Sequence, residues 1–269
     1  MAENKPIKET NNKIDKIDKH KKRKKNPDDM SFWEHLDELR KRIFHSIIII
    51  TIGFLISFRY SEKIYIFMAK PVLKYLKGGS LAYTSLTEPF MMYMKLAFFA
   101  SIFLTSPLLF YEFWKFISPA LKKKEKRLAI PFILFSTAFF LIGGWFGYTI
   151  VFPAACKFFL EIGKSFTPVI TINQYLSLAT KVLFGVATTF ELPILIFFLA
   201  RLGIINAKFL IKYFKFFILL AFIIAAVITP TPDMVTQSII ALPLIGLYLV
   251  GILVALIFGK KKKTDDKQN

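Results

Sequence analysis

Apolar runs, most of them about 20 residues long, recur six times along this chain, and that repetition constrains its fold more than any other feature. Such a run is long enough to cross a ~30 Å hydrocarbon core as a helix. The runs lie at about 43–58, 91–113, 128–152, 176–200, 209–228 and 236–258. Lipid cannot hydrogen-bond an open backbone, so a spanning segment is either a helix or part of a closed barrel, and these runs lack the alternation of barrel strands. Hydrophobic residues make up 55% of the chain, more than the 45–50% or so of a soluble domain. The expected class is all-α: a polytopic membrane protein with six transmembrane helices. No internal repeat of the kind that marks many secondary transporters is present.

Orientation follows from the basic residues that flank the runs. Of the 37 Lys and Arg, 28 fall on one set of connecting segments and 7 on the other. Both termini are therefore expected on the cytoplasmic side, or the stromal side of a plastid. The net charge of +19 needs no nucleic-acid partner, because most of it flanks spans and faces anionic lipid headgroups. Residues 1–29 form a basic, polar tail with ten Lys/Arg, six Asp/Glu and no apolar run, a composition expected to remain disordered. A membrane domain over 30–258 and a polar cytoplasmic tail over 259–269 complete the organisation. The single Cys156 cannot form an internal disulfide.

Directly before the first run stands Ser31-Phe-Trp-Glu-His-Leu-Asp-Glu-Leu-Arg-Lys-Arg42. Ser31 followed by Glu34 reads as a capping box, which predicts a helix start there. Phe32, Leu36, Leu39 and Ile43 form one apolar stripe, with Glu34, Asp37, Glu38 and Lys41 off it. Glu34 and Glu38 share a face and repel mildly, an arrangement suited to holding a cation. The alternative is that Glu38 pairs with Arg42, four residues on. In the next cytoplasmic loop, Trp114-Lys-Phe-Ile-Ser-Pro-Ala-Leu121 leads into Lys122-Lys-Lys-Glu-Lys-Arg127, where Glu125 is a lone acid among bases.

These two segments resemble the S-F-x-E-H-L-x-E-L-R-x-R and W-x-F-I-x-P-x-L-x-x-x-E-[KR]-[KR] signatures of the TatC family, the signal-peptide receptor of the twin-arginine protein translocase. Pro71 in Ala-Lys-Pro-Val-Leu, Glu88-Pro89-Phe90 with Lys95, Phe190-Glu-Leu-Pro193, and Thr229-Pro-Thr-Pro-Asp233 with Gln237 follow in family order. The resemblance implies a receptor subunit that binds signals carrying two consecutive arginines and helps move folded proteins with the proton-motive force. It places signal binding on Glu38 and Glu125, with His35 and Phe116 beside them. A guanidinium forms planar, bidentate bonds to a carboxylate that an ammonium cannot reproduce. The resemblance also implies TatA-like and TatB-like single-span partners, self-association within a complex, and a bacterial cytoplasmic or plastid thylakoid membrane. Partner docking is expected at Glu191 and Gln237, and extracytoplasmic structural roles at Pro71, Pro89 and Asp233.

Glu191 lies within the apolar run 182–200, where an acid is costly and functional by default. Its alternatives are a neutral carboxyl bonded to Thr188, Thr189 or a facing helix, or a polar notch that docks a partner helix. Pro193 predicts a kink nearby. Spans five and six are expected to be short, with 14 residues between Lys215 and Pro230. No nucleotide, metal-hydrolase or C-x-x-C motif occurs, so neither enzyme activity nor a cofactor or metal is expected. A secondary transporter or channel using Glu191 and Lys181 is the main rival reading. A membrane-embedded hydrolase is the second, and it lacks a nucleophile–base pair.

Overall fold

The computed structural model describes residues 32–73, 81–120, 126–167, 169–229 and 233–259. The expected 1–29 tail and all of the 259–269 tail except Gly259 lie outside these residues, as do Ser31 of the capping box and Glu125. The fold is all-α, a bundle of six membrane-crossing segments. Five helical segments are long and apolar enough to cross a membrane: His35–Arg59, Glu88–Ile117, Lys126–Ile162, Ile172–Leu202 and Met234–Phe258. Phe214–Ile228 is a shorter sixth. Six crossings return the chain to the side on which it began.

Helix α1 (Phe32–Arg59) is followed by α2 (Ser61–Leu73), a helix within what the sequence shows only as a connecting segment. Pro71 sits inside α2 and is buried. A proline removes the donor to the carbonyl four residues back. That carbonyl, Phe67 O, instead accepts a bond from Tyr148 Oη at 2.8 Å, and Met68 O accepts from Tyr175 Oη at 2.8 Å. Helix α3 (Glu88–Ile117) solves the same problem internally, since Ser106 Oγ donates at 2.8 Å to Phe103 O, the carbonyl freed by Pro107. Pro89 stands in its first turn.

The third crossing comprises α4 (Ala129–Phe146), a wider π-type turn over Gly147–Val151, and α5 (Phe152–Ile162). It runs some ten residues beyond the apolar stretch read from sequence. The fourth is two helices, α6 (Ile172–Thr189) and α7 (Leu192–Leu202), broken at Phe190–Glu191 two residues before Pro193. Gly203, at φ 79°, ends α7 in the left-handed conformation that glycine tolerates. A short α8 (Ala207–Lys212) precedes α9 (Phe214–Ile228), whose 15 residues span about 22 Å. The fifth crossing is short, as expected. The sixth is not: α10 (Met234–Phe258) has 25 residues, about 37 Å. It starts at once from the Asp233 cap and accommodates Pro243 without ending.

Helices α4, α6, α7, α9 and α10 pack on one another around a core in which Val151, Phe152, Ala179, Ala221 and Ala241 are essentially inaccessible. Small residues at such crossings let helix backbones approach in the absence of a hydrophobic driving force. Helix α1 is peripheral: it packs chiefly on α3 and turns Ile47, Ile48, Ile52 and Leu55 outward. At the extracytoplasmic end, Glu88 accepts from Thr84 N at 2.7 Å and Asn173 N at 3.1 Å, and Lys95 Nζ reaches Asn173 Oδ1 at 2.9 Å. These bonds, with the Ala82–Thr171 bridge, tie the first and second extracytoplasmic segments together.

Candidate functional site

The cytoplasmic end is held by Trp114, whose ring packs on Phe132 and Phe198 with centroids 5.0 and 5.6 Å apart. That cluster joins α3, α4 and α7 and fixes the end of α3 against which α1 lies. Across the α1–α3 seam, His35 stacks on Phe116, with centroids 4.6 Å apart and planes inclined by 22°. One turn further along α1 stands Glu38, half-buried. Three of the residues expected at the signal site, His35, Glu38 and Phe116, thus converge on one face.

Glu38 is engaged. Arg42 Nε donates to Glu38 Oε1 at 2.8 Å, and Arg42 Nη2 converges on the same oxygen. The helical pairing weighed as an alternative at Glu38 is therefore formed. It extends beyond one helix, because Arg42 Nη1 donates to Glu112 Oε2 at 2.8 Å on α3. His45 Nδ1 lies 3.6 Å from that oxygen. Glu112 is buried, at 7% exposure, and such a carboxylate requires a paired charge. Sequence reasoning missed it. The signal was available: an acid within the apolar run of α3, the same pattern that singles out Glu191.

Glu191 forms the break between α6 and α7. Neither threonine beside it supplies a partner. Thr188 Oγ1 donates to Phe184 O and Thr189 Oγ1 to Val186 O, each at 2.8 Å. Ser136 of α4 stands against the carboxyl, yet Ser136 Oγ, Thr137 Oγ1 and Glu191 Oε1 are buried without completed hydrogen bonds. Ser136 thus places a hydroxyl of the facing helix beside the Glu191 carboxyl, the facing-helix arrangement weighed as an alternative for that acid.

Gln237 lies in the first turn of α10, where Asp233 caps the helix by accepting from Thr236 N at 2.7 Å. Gln237 and Glu191 sit at different depths. Gly251 of α10 abuts Ile196 of α7, which sets Glu191 level with about Gly246 and leaves Gln237 some nine residues away, roughly 13 Å along the helix. Among the described residues no group of His, Cys, Asp and Glu is placed to hold a metal ion.

A family model described as Sec-independent protein translocase protein (TatC) matches residues 34–243. The chain is 42% identical over 238 residues to the Sec-independent protein translocase protein TatC of Koribacter versatilis, covering 87% of this chain and 88% of that one. It is 36% identical over 241 residues to the TatC protein of Aquifex aeolicus, covering 88% of this chain and all of that one. A crystal structure of the twin-arginine translocase receptor TatC superimposes with a TM-score of 0.74 at 36% identity, covering 84% of this chain and 99% of the other. A second, determined in the detergent DDM, gives 0.76 at 36% identity, covering 82% of this chain and 99% of the other. Six membrane crossings accord with these likenesses, and the chain belongs to the TatC family of multi-pass membrane translocase proteins.

Proposed function

We propose that this chain is the receptor subunit of a twin-arginine translocation system. It binds signal peptides bearing two consecutive arginines at its cytoplasmic face and helps move folded proteins across the membrane with the proton-motive force. Glu38 and Glu125 grip the arginines, with His35 and Phe116 forming an aromatic wall beside them. The observation that carries this reading is that Glu38 already accepts a guanidinium fork, from Arg42. Its position, half-buried one turn from the His35–Phe116 stack, strengthens charge-assisted bonds relative to open water. The chain acts by recognition and assembly, without catalysis.

Partner helices dock on the part of the bundle that carries Glu191 and Gln237. A TatA-like or TatB-like single-span helix lying against it passes both Glu191 and, about 13 Å away, Gln237. A polar side chain on that helix bonds to the Glu191 carboxyl, whose Oε1 lacks a completed hydrogen bond.

Binding of a labelled twin-arginine peptide to purified protein tests the signal site. Glu38→Ala and Glu125→Ala should each weaken binding by about 1.5–3 kcal/mol, the scale of a charged hydrogen bond. Their effects should be non-additive, because one arginine pair serves both carboxylates. Wild-type affinity in the double variant would refute the assignment.

A further inference from the structure

The carboxylate assigned to a signal arginine is not vacant. Arg42 places two donors, Nε and Nη2, on Glu38 Oε1 and a third, Nη1, on Glu112 Oε2. These side chains are largely withdrawn from solvent, with 19% of Arg42, 18% of Glu38 and 9% of Glu112 exposed. We infer that Arg42 is a specificity-determining residue: a tethered guanidinium that a signal arginine displaces from Glu38 and a lysine does not, with Glu112 retaining it after displacement. The inference rests on the reading of Glu38 as a signal-arginine site.

The chemistry of exchange gives the selectivity. When one guanidinium replaces another, Glu38 trades a planar fork for a planar fork and loses no class of bond. An ammonium is a compact point charge without that fork, so a lysine must give Glu38 less than Arg42 already gives it. An untethered, open carboxylate would accept either cation. Discrimination then comes from the competitor held in place, an element that acts against the wrong ligand rather than for the right one. The displaced Arg42 does not become a lone buried charge, because Nη1 already lies on Glu112. His45, 3.6 Å from the same oxygen, is more than half exposed and is free to turn aside. Arg42 and Glu38 both belong to α1 and Glu112 to α3, so the release of Arg42 from Glu38 leaves the charged link between the two helices, Arg42–Glu112, in place.

The test uses full-length protein in detergent micelles and two labelled signal peptides that differ only in Arg-Arg or Lys-Lys. In Arg42→Gln, the Lys-Lys peptide should bind about tenfold more tightly than to wild type, with a smaller change for Arg-Arg, so that the preference narrows by about the value of one charge-assisted bond. Glu112→Gln should weaken Arg-Arg binding and leave Lys-Lys binding unchanged, because only arginine displaces Arg42 from Glu38 and leaves Glu112 as its sole carboxylate partner. If Arg42→Gln does not fold, Arg42→Lys serves, since it leaves a cation on Glu38 without the fork and should also favour Lys-Lys. An unchanged preference in the Arg42 variants, or equal loss of both peptides at wild-type thermal stability, overturns the inference. Glu38→Ala separates it from the reading beneath it: wild-type binding of Arg-Arg by that variant removes the signal site itself, whatever Arg42 does.

Discussion

Gly53 governs how closely α1 approaches α3, and Gly53→Ala should disturb the signal-binding face from a distance. A Cβ at this position would stand 2.6 Å from Thr105 Cγ2 and 3.3 Å from Ser101 Cβ. Carbon atoms settle at about 3.5–4.0 Å, so either Thr105 changes rotamer or the helices part by about 1 Å. A rotamer change sacrifices the bond from Thr105 Oγ1 to Ser101 O, 2.7 Å long and buried. Parting the helices stretches the 2.8 Å bond from Arg42 to Glu112 beyond hydrogen-bonding range. Overpacking of this kind costs about 1–3 kcal/mol, and α1 has little other packing to absorb it. Thermal unfolding in detergent and twin-arginine peptide affinity should both fall. Thr105→Ser removes the clashing methyl and keeps the hydroxyl, so it should restore much of both in the Gly53→Ala background. Wild-type stability and affinity in Gly53→Ala alone would refute the account of the seam.

Glu191→Ala should leave signal-peptide binding intact while weakening crosslinks to single-span partner helices by the value of an interhelical hydrogen bond, about 0.6–2 kcal/mol. Glu191→Gln, which keeps a hydrogen-bonding group without the charge, should be mild; damage equal to Ala with unchanged crosslinks would point instead to proton transfer. Topology is testable in a Cys156→Ser background, with single cysteines placed in 1–29 and in 153–175. Only the first set should react from the cytoplasmic side, and equal reactivity of both would overturn the orientation.

Much of the architecture was legible because a bilayer permits few answers. Apolar runs fixed the crossings, and Pro193 marked the break that separates α6 from α7. What remained hidden depends on contacts between segments. Helix α2 buries Met68, Ala69, Pro71 and Val72 against the bundle, but its sequence mixes charges and aromatics within a loop-like stretch between two strong runs. The extension of the third crossing to Ile162 runs through Pro153, which reads as a terminator, yet the π-type turn over Gly147–Val151 carries the helix past it. Glu112 gains its meaning only across the α1–α3 seam, where Arg42 reaches it from a helix seventy residues earlier in the chain.

At Glu38 the sequence posed a choice between two readings, a carboxylate waiting for a foreign cation or one paired with Arg42. The geometry shows the pairing with Arg42, and on the proposal that a signal arginine displaces it the two readings are compatible. A receptor carboxylate sheltered at a membrane surface cannot remain unpaired without cost, since burying an uncompensated charge is expensive. It therefore needs an occupant when no signal is present, and the occupant's chemistry decides what can replace it. A solvent-exposed lysine would impose little barrier to any cation, and a neutral partner would leave the charge uncompensated. A guanidinium anchored by a second carboxylate, Glu112 on a different helix, compensates the charge and yields to its own kind. The pairing that looked like the ordinary structural explanation for Glu38 is thus what would make Glu38 selective.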